Sequence, residues 1–250
     1  MNKFFDIHRY DVAGSTNDIA KRMAQEGRGE GFVAIAREQT AGRGRMGRAF
    51  FSPGGCGLYM SVLLRPHLSP GEALRITTMT AVAVCEAIEG YCGTDARIKW
   101  TNDVVAGGKK VCGILTESGI SRDDRLDYAV VGLGLNILSP PNGYPEDIRN
   151  KAGALYVGQC PDTARDDIAQ RILERLHHYY TRLHENEYVS KYKARCATLG
   201  SDVEIVVPNG VNRFARAVDI TDDCALVVEF DGGEKAVLSS GEVIVRYEYE

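Results

Sequence analysis

The stretch around which the chain is organised is Thr40-Ala41-Gly42-Arg43-Gly44-Arg45-Met46-Gly47-Arg48. Its glycines leave the backbone unconstrained and its amide N–H groups open, and its arginines add planar, permanently charged guanidinium groups. Both kinds of group donate hydrogen bonds to phosphate and carboxylate oxygens. The stretch therefore predicts a loop that becomes ordered around an anionic ligand. A solvated, disordered basic loop is the alternative, but one dense basic cluster in an acidic protein favours ligand binding.

The same glycines match the G-x-G-x-x-G pattern of dinucleotide-binding proteins, which requires a helix to open directly after them. The residues that follow are Phe50-Phe51-Ser52-Pro53-Gly54-Gly55. A proline followed by two glycines does not start a long helix. The pattern therefore does not indicate a nicotinamide site.

Composition limits the class of protein. The chain has 250 residues, with 30 Lys and Arg against 34 Asp and Glu, which gives a net charge of -4. This balance argues against a general nucleic-acid-binding protein. Seven scattered cysteines without a C-x-x-C pair indicate reduced thiols in a cytoplasmic protein rather than a disulfide or zinc framework. The charged N-terminus does not resemble a signal peptide, and no apolar stretch is long enough to cross a membrane.

The first part of the chain alternates strands and helices. We predict strands over residues 4–12, 32–37 and 58–64, a helix from Ser15 that ends at Gly27, and a helix from Ser69 to about Glu89 that stops at Gly90. Ser15 is the expected N-cap of the first helix, with Asp18 three residues later. Hydroxyl groups at a helix start, here Ser15 and Thr16, also suit a polar ligand, although capping is the simpler interpretation.

A second unusual segment spans residues 97–115. Two β-prone runs flank the pair Gly107-Gly108, which predicts a hairpin turn. The glycine–lysine junction lacks the preceding glycine that a P-loop requires at fixed spacing, so a P-loop is rejected. Taken alone, Lys109 and Lys110 read as a solvated hairpin edge.

The second half of the chain begins with a buried strand over residues 126–136. Its Gly132 and Gly134 suggest close approach by a ligand or by a neighbouring strand. We predict an irregular connection over residues 139–162, helices over 163–183 and 188–197, strands over 203–207, 212–220, 225–230, 234–238 and 243–247, and turns at 208–210, 221–223 and 231–233. This strand spacing fits a small antiparallel barrel. The expected domains are residues 1–200 and 201–250.

The distinctive motifs occur together and in a fixed order. They are Gly14-Ser15-Thr16-Asn17, Gln39 to Gly47, Lys99-Trp100-Thr101-Asn102-Asp103, Lys110-Val111-Cys112-Gly113-Ile114-Leu115 and Gly132-Leu133-Gly134-Leu135-Asn136. With the C-terminal barrel, this order resembles the biotin protein ligases over nearly the whole chain. The resemblance implies an α+β fold with a mixed or antiparallel sheet and packed helices, like a class II synthetase core, plus an SH3-like β-barrel. Because the pattern begins at Gly14, it implies the short form without an N-terminal DNA-binding domain, and no sequence-specific DNA binding.

The resemblance also implies a reaction in two steps. Biotin is activated with ATP to biotinyl-5′-AMP, and biotin is then transferred to one lysine of a biotin carboxyl carrier protein. Biotin and ATP are substrates, Mg²⁺ accompanies ATP, and no tightly bound cofactor is expected. Preorganised cations suit a step that joins two anions and releases pyrophosphate.

The resemblance also implies roles for the residues of this chain that match the family's motifs. The catalytic residues would be Lys110, Arg45 and Arg43, with Lys110 as the main electrophilic stabiliser. Biotin would be bound by Ser15, Thr16, Asn17, Gln39, Arg43, Gly44, Arg45 and Lys110. The nucleotide would be bound by Phe50, Asn102 and Asn136, and Asp103 would help to place Mg²⁺. Trp100 would pack beside the pocket.

Two departures and several alternatives remain. Phe50 stands where the family often has Trp, and Thr101 where proline is common, but neither change removes a charge. The nearest alternative function is a lipoate or octanoate ligase of the same superfamily; a non-enzymatic nucleic-acid-binding protein and a biotin sensor are more distant ones. The choice between monomer and homodimer is open, and residues 126–136 are expected to offer an exposed strand edge for pairing.

Overall fold

The structure, a computed structural model, describes residues 3–207, 210–239 and 241–245. A seven-stranded sheet organises the N-terminal part of the chain. Its strands are β1 (Asp6–Ala13), β2 (Phe32–Gln39), β3 (Gly57–Leu64), β4 (Arg97–Lys99), β5 (Asp103–Ala106), β6 (Lys109–Ile120) and β7 (Leu126–Asn136). The bounds of β1, β2, β3 and β7 agree with the predicted strands to within a few residues, and the predicted hairpin turn joins β5 and β6. The predicted run before that turn forms two strands, β4 and β5, and β6 continues beyond residue 115 to Ile120.

The strand order in this sheet is β1-β2-β3-β7-β6-β5-β4. β1 and β2 run parallel, and every other neighbouring pair runs antiparallel. Parallel neighbours need a crossover connection, which helix α1 (Thr16–Gln25) provides. The sheet is therefore mixed, and the predicted α+β class is confirmed.

Helix α2 (Leu74–Cys92) both begins and ends later than the sequence predicted. It begins later because Pro70–Glu72 form a separate short 3-10 helix. Ser69 and Glu72 form the expected capping box, in which the Ser69 N–H donates to Glu72 Oε2 at 3.0 Å. The predicted stop at Gly90 is wrong, because the helix continues through it and ends at Gly93, where φ is 70°. Glycine takes this left-handed conformation without a Cβ clash, so Gly93 rather than Gly90 terminates the helix.

Helices cover both faces of the sheet. The main core lies between one face and the helices α2, α3 (Ala164–Thr181) and α4 (Glu187–Arg195), and α1 packs on the other face. In β2, Val33 and Ile35 enter the main core, whereas Ala34 packs with the α1 side. A sheet that is buried on both faces gives the nearly continuous apolar strands seen in the sequence. No helix in the described ranges is long and apolar enough to span a membrane.

Strand β7 is central in the sheet. Residues 126–136 pair with β3 on one side and with β6 on the other. The expectation that they form an exposed edge is therefore wrong. Their apolar run reflects burial on both faces, whereas the strands at the two ends of the strand order are β1 and β4.

A second, five-stranded antiparallel sheet follows α4. It consists of β8 (Asp202–Val206), β9 (Arg213–Ile220), β10 (Leu226–Glu229), β11 (Lys235–Leu238) and β12 (Glu242–Val245), in the order β11-β10-β9-β8-β12. The predicted antiparallel C-terminal unit is confirmed. Its closure into a barrel stays a prediction, because no pairing joins β11 to β12 within the described residues. Part of the predicted turn at 208–210, namely Pro208 and Asn209, lies outside those residues.

The two sheets share one hydrophobic core. Val203, Leu226 and Val228 of the second sheet belong to the same buried cluster as the helices and strands of the first. Trp100 is 4% exposed, and its indole Nε1–H donates to the Cys224 carbonyl oxygen at 3.0 Å. The tryptophan therefore joins the two sheets. The domain boundary at residues 200 and 201 stays a prediction.

Candidate active site

A buried polar cluster lies where α1 begins. Ser15, Thr16 and Asn17 have exposed fractions of only 4%, 3% and 4%. The Thr16 N–H donates to Gln39 Oε1 at 2.8 Å, and Thr16 Oγ1 lies 3.1 Å from the same oxygen. From β3, Ser61 Oγ lies 2.7 Å from Thr16 Oγ1 and 2.6 Å from Asn17 Oδ1. Ser15 occupies the predicted N-cap position, but its side chain makes no capping hydrogen bond. The fold thus brings the predicted biotin-binding residues of α1 and β2 together.

Glu117 on β6 joins this cluster to the arginine loop. Its Oε2 accepts hydrogen bonds from Asn17 Nδ2 at 2.8 Å and Arg43 Nη2 at 2.9 Å, and its Oε1 accepts one from Lys21 Nζ at 2.9 Å. Asp18 Oδ1 lies 2.6 Å from Arg43 Nη2. Burial alone would raise the pKa of Glu117, but the hydrogen bonds from Lys21 and Asn17 and the charge of Arg43 outweigh it, so the pKa is lowered. Glu117 is therefore an ionised centre of the site.

Two hydrogen bonds join backbone groups within the arginine loop. The Gly44 N–H donates to the Arg48 carbonyl oxygen at 2.7 Å, and the Phe50 N–H donates to the Gly42 carbonyl oxygen at 2.8 Å. A Cβ atom on Gly42 would come within 2.5 Å of the Phe50 carbonyl oxygen. Glycine is therefore required at this position by close backbone approach. The Gly44 amide, predicted to face biotin, already has a partner in the loop.

Arg45 connects the loop to both sheets. Its Nη1 donates to Thr101 Oγ1 at 2.9 Å and to Asn102 Oδ1 at 2.8 Å, and its Nη2 donates to the Gly241 carbonyl oxygen at 2.7 Å. Met46, the next residue, has a left-handed backbone with φ of 56°. Thr101 thus supplies a hydroxyl oxygen, which a proline at this position would lack.

Lys110 forms an ion pair with Asp103. The Lys110 Nζ and Asp103 Oδ1 atoms are 2.7 Å apart, and the two side chains are 37% and 25% exposed. Asp103 Oδ1 is buried and receives no well-directed hydrogen bond from the described residues, so the ammonium charge is what compensates it. Lys110 is therefore a half-buried, positioned cation and not the solvated hairpin edge that its segment alone suggested.

Glycines on the two central strands make room for side chains over the sheet. Gly113 and Gly134 face each other across β6 and β7. A Cβ atom on Gly134 would overlap the Phe50 ring, and one on Gly113 would lie 3.0 Å from Lys110 Nζ and 3.3 Å from Phe50 Cε2. A Cβ atom on Gly132 would overlap Asn17 Oδ1. The close approach predicted at Gly132 and Gly134 is thus made by side chains and not by a strand.

The two predicted nucleotide-binding asparagines are fixed by backbone carbonyl groups. Asn102 Nδ2 donates to the Ile114 carbonyl oxygen at 2.9 Å, and Asn136 Nδ2 donates to the Gly153 carbonyl oxygen at 2.9 Å. Asn102 is thereby oriented with its oxygen towards Arg45. Residue 153 belongs to the irregular connection, so this connection contributes to the edge of the site.

Two surface clefts of about 530 and 310 Å³ lie away from this arrangement. Both are lined by Arg37 and Arg165, and none of the predicted site residues lines either cleft. Cleft volume therefore does not locate the site. The candidate site is instead marked by the buried polar cluster and by the three cations Arg43, Arg45 and Lys110.

Two residues that organise the candidate site, Ser61 and Glu117, were not predicted from the sequence. In each case the sequence of the strand, β3 or β6, contains a residue that could have indicated the site. Ser61 is a polar residue in the otherwise apolar run of β3, all of which is buried. Glu117 is the acidic residue of β6 and points to the same side of the sheet as the loop.

A mixed sheet with a cationic glycine loop above its central strands, followed by a small antiparallel sheet, defines the class of the biotin and lipoate ligases. Residues 10–136 match the biotin/lipoate A/B protein ligase family, and residues 198–246 match the biotin protein ligase C-terminal domain. The chain belongs to this family.

The chain is also similar to individual biotin ligases, in sequence and in structure. The chain is 32% identical to the bifunctional ligase/repressor BirA of Bacillus subtilis, over 92% of this chain and 71% of the relative. It is 33% identical to the biotin–[acetyl-CoA-carboxylase] ligase of Mycobacterium tuberculosis, over 92% of this chain and 85% of the relative. The solved biotin protein ligase from Aquifex aeolicus in complex with biotin and ATP superposes with a TM-score of 0.79 at 27% identity, covering 96% of this chain and 98% of that one.

Proposed function

We propose that this protein is a biotin–protein ligase. It activates biotin with ATP to biotinyl-5′-AMP and transfers biotin to a lysine of a biotin carboxyl carrier protein. The observation that carries the proposal is the junction at Glu117, where a buried polar cluster meets the arginine loop. The relatives support it, since solved family members contain biotin with ATP, or biotinyl-5-AMP in the enzyme from Leishmania major.

In the first step, a biotin carboxylate oxygen attacks the α-phosphorus of ATP, and the bond between that phosphorus and the bridging oxygen breaks as pyrophosphate leaves. Two anions must approach each other, so cations held in place beforehand lower the barrier. Lys110, Arg45 and Arg43 are the proposed stabilising residues. In the second step the carrier lysine amine attacks the acyl carbon, and AMP leaves.

Biotin binding is assigned to the polar cluster and the loop. Ser15, Thr16, Asn17 and Gln39 would bind the ureido end, and Gly44 lies on the path to the carboxylate end. Among them, Gln39 has its Oε1 occupied by Thr16 and one Nε2 proton directed at Ser52 Oγ, 3.2 Å away. Its second Nε2 proton remains for the ligand. The nucleotide is assigned to Phe50, Asn102 and Asn136.

Mg²⁺ would enter with the phosphates of ATP. Within the described ranges no group of three His, Cys, Asp or Glu residues is arranged to hold a metal ion. The carboxylate of Asp103 fits one ligand of Mg²⁺, which is commonly bound by one or two carboxylates together with substrate phosphates. When bound, the ion neutralises phosphate charge. Asp103 itself fixes the position of the Lys110 ammonium.

Measurement of pyrophosphate release from Mg-ATP tests the proposal, with biotin and with lipoate offered separately. Release with biotin alone is expected. Release with lipoate alone would assign the protein to the lipoate branch of its family, and release with neither would contradict a ligase function.

The localisation, the DNA binding and the oligomeric state of the protein are separate proposals. All seven cysteines are unpaired, which suits the reducing cytoplasm. Absence of sequence-specific DNA binding stays a prediction, and a salt-resistant operator complex in a gel-shift assay would contradict it. Monomer and homodimer remain alternatives that sedimentation distinguishes.

A further inference from the structure

Glu117 fixes the orientation of a buried amide. Asn17 Nδ2 lies 2.8 Å from Glu117 Oε2 and 3.3 Å from the Leu115 carbonyl oxygen. Both are acceptors, because the carboxylate is ionised and a carbonyl has no proton. The nitrogen of Asn17 must therefore face Glu117, and its oxygen must face Ser61.

This orientation decides where the Ser61 proton goes. A serine hydroxyl has one proton, yet Ser61 Oγ has two close neighbours, Asn17 Oδ1 at 2.6 Å and Thr16 Oγ1 at 2.7 Å. Asn17 Oδ1 cannot donate, so that contact takes the Ser61 proton. Two oxygens compete for the Thr16 proton, Ser61 Oγ at 2.7 Å and Gln39 Oε1 at 3.1 Å. The shorter contact takes it, because two hydroxyl oxygens 2.7 Å apart need a proton between them and the Ser61 proton is already used. Thr16 Oγ1 then does not accept from Ser61 and keeps its lone pairs for a ligand.

The neighbouring Gln39 has a fixed orientation too. Its Oε1 accepts from the Thr16 backbone N–H at 2.8 Å, so its nitrogen cannot occupy that place. The cluster therefore presents two neighbouring groups to a ligand: the Thr16 hydroxyl oxygen as an acceptor and the second Nε2–H of Gln39 as a donor. This pattern is complementary to a group that carries both an N–H and a C=O, as a cyclic urea does.

We propose that Glu117 is a positioning residue for the ureido group: through Asn17 and Ser61 it makes the Thr16 hydroxyl oxygen an acceptor for a ureido N–H. The inference rests on the proposed biotin ligase function and adds a residue on β6 that touches neither substrate. The lowered pKa of Glu117 supports it, because a chain of hydrogen bonds that ends on a carboxylate keeps one direction.

The variant Glu117→Gln tests the direction of this chain. A glutamine in that place can turn an NH₂ group towards Asn17, which favours the reversed amide. Ser61 then donates to Thr16 Oγ1, which occupies the oxygen that would accept the ureido N–H, and the Thr16 proton turns to Gln39 Oε1 or to the ligand. We expect the KM for biotin in pyrophosphate release to rise about 10- to 100-fold, the loss of one hydrogen bond to a charged system or its replacement by a repulsive contact. The KM for ATP should change little.

A substrate analogue separates positioning from general damage. In the biotin analogue whose two ureido N–H groups are replaced by oxygen, no donor faces Thr16. The analogue should bind the wild-type protein more weakly than biotin, and Glu117→Gln should weaken it far less than it weakens biotin. A merely structural defect would lower both affinities by the same factor.

Matched controls come from the same network. Lys21→Met and Asp18→Asn each remove one ion pair, with Glu117 and Arg43 respectively, and among the described residues neither side chain is hydrogen-bonded to the Asn17 amide. Each should change the KM for biotin by no more than about twofold, as expected for partly exposed pairs.

The outcomes are distinguishable. Wild-type protein that binds no biotin would overturn the proposed function and this inference with it. Wild-type protein that binds biotin, together with a Glu117→Gln variant of unchanged KM, would overturn the inference alone. Equal weakening of biotin and its analogue, or control variants as impaired as Glu117→Gln, would also overturn it. Thermal unfolding of every variant establishes that the compared proteins are folded.

Discussion

Replacement of Lys110 by methionine should separate catalysis from stability. Methionine keeps the unbranched chain but removes the ammonium group that lies 2.7 Å from Asp103 Oδ1. Adenylation should then fall by about 100- to 1,000-fold, the usual cost of removing one positioned donor from developing charge. The second variant, Lys110→Met with Asp103→Asn, removes the carboxylate charge as well.

The size of the stability effect follows from burial of the pair. At 37% and 25% exposure the attraction itself contributes little, about 0–1 kcal/mol. The larger cost of Lys110→Met is the buried Asp103 oxygen left without a counter-charge, which amounts to about 1–3 kcal/mol. For a chain of this size each kcal/mol lowers Tm by about 2–4 °C. The double variant should recover most of that loss, because an amide is far less costly to bury than an unpaired carboxylate.

Pyrophosphate release and thermal unfolding, measured on the same preparations, give both quantities. The expected pattern is a stability that the double variant restores and an adenylation rate that it does not. Wild-type adenylation by Lys110→Met would refute the catalytic role. Recovery of the rate in the double variant would show that the single variant had failed for structural reasons.

The remaining predictions concern the loop and Glu117. Arg45→Gly removes the contacts that tie the loop to Gly241 and to the turn between β4 and β5, so biotinyl-AMP should escape. Mass spectrometry should find biotin on unrelated bystander proteins, and labelling confined to the carrier would contradict this. Residues 38–55 should resist limited proteolysis in the presence of biotin with ATP, whereas equal cleavage without ligand would argue against ligand-induced ordering. The pKa of Glu117 is lowered from its ordinary value of 4.5, so its carboxylate stabilises the fold fully above that pH and less as the pH falls further. The stability difference between wild type and Glu117→Gln in urea should therefore shrink as the pH is lowered below 4.5.

Local patterns predicted the fold well where one segment determines its own structure. The hairpin glycines at 107 and 108 both have positive φ, as a tight turn requires. The capping box at Ser69 and Glu72 formed as its spacing indicated. Helix termination failed at Gly90, because a glycine inside a well-packed helix costs only about 1 kcal/mol relative to alanine. Packing of α2 against α3 and α4 outweighs such a penalty.

The position of a strand within a sheet could not be predicted from the sequence. A long apolar run such as residues 126–136 is compatible with any place in which both faces are buried, and the order of strands depends on connections far along the chain. The pairing of β7 with β3 and β6 is set by the whole topology, so the edge prediction had no local information to rest on.

In the candidate site, too, residues in local motifs were predicted, whereas contacts that depend on the overall topology were not. Motifs identified Thr16, Gln39, Arg45 and Lys110, because glycine, arginine and hydroxyl residues in short runs have few structural uses. They did not identify Glu117, which lies about 100 residues from Asn17 along the chain and becomes its partner only through strand pairing. Nor did they predict that Asn102 would orient Arg45.

The bridge from Arg45 to the Gly241 carbonyl oxygen has a thermodynamic consequence. Whatever free energy a substrate gains by ordering the loop is shared with the C-terminal sheet, since the same guanidinium group belongs to both. Linkage is reciprocal: if binding of a substrate strengthens this bridge, we expect slower hydrogen exchange in β12 and β8, and loss of the bridge should weaken substrate binding by the factor by which the substrate had stabilised it. The C-terminal sheet therefore acts on the candidate site as a permanently bound part of the same chain.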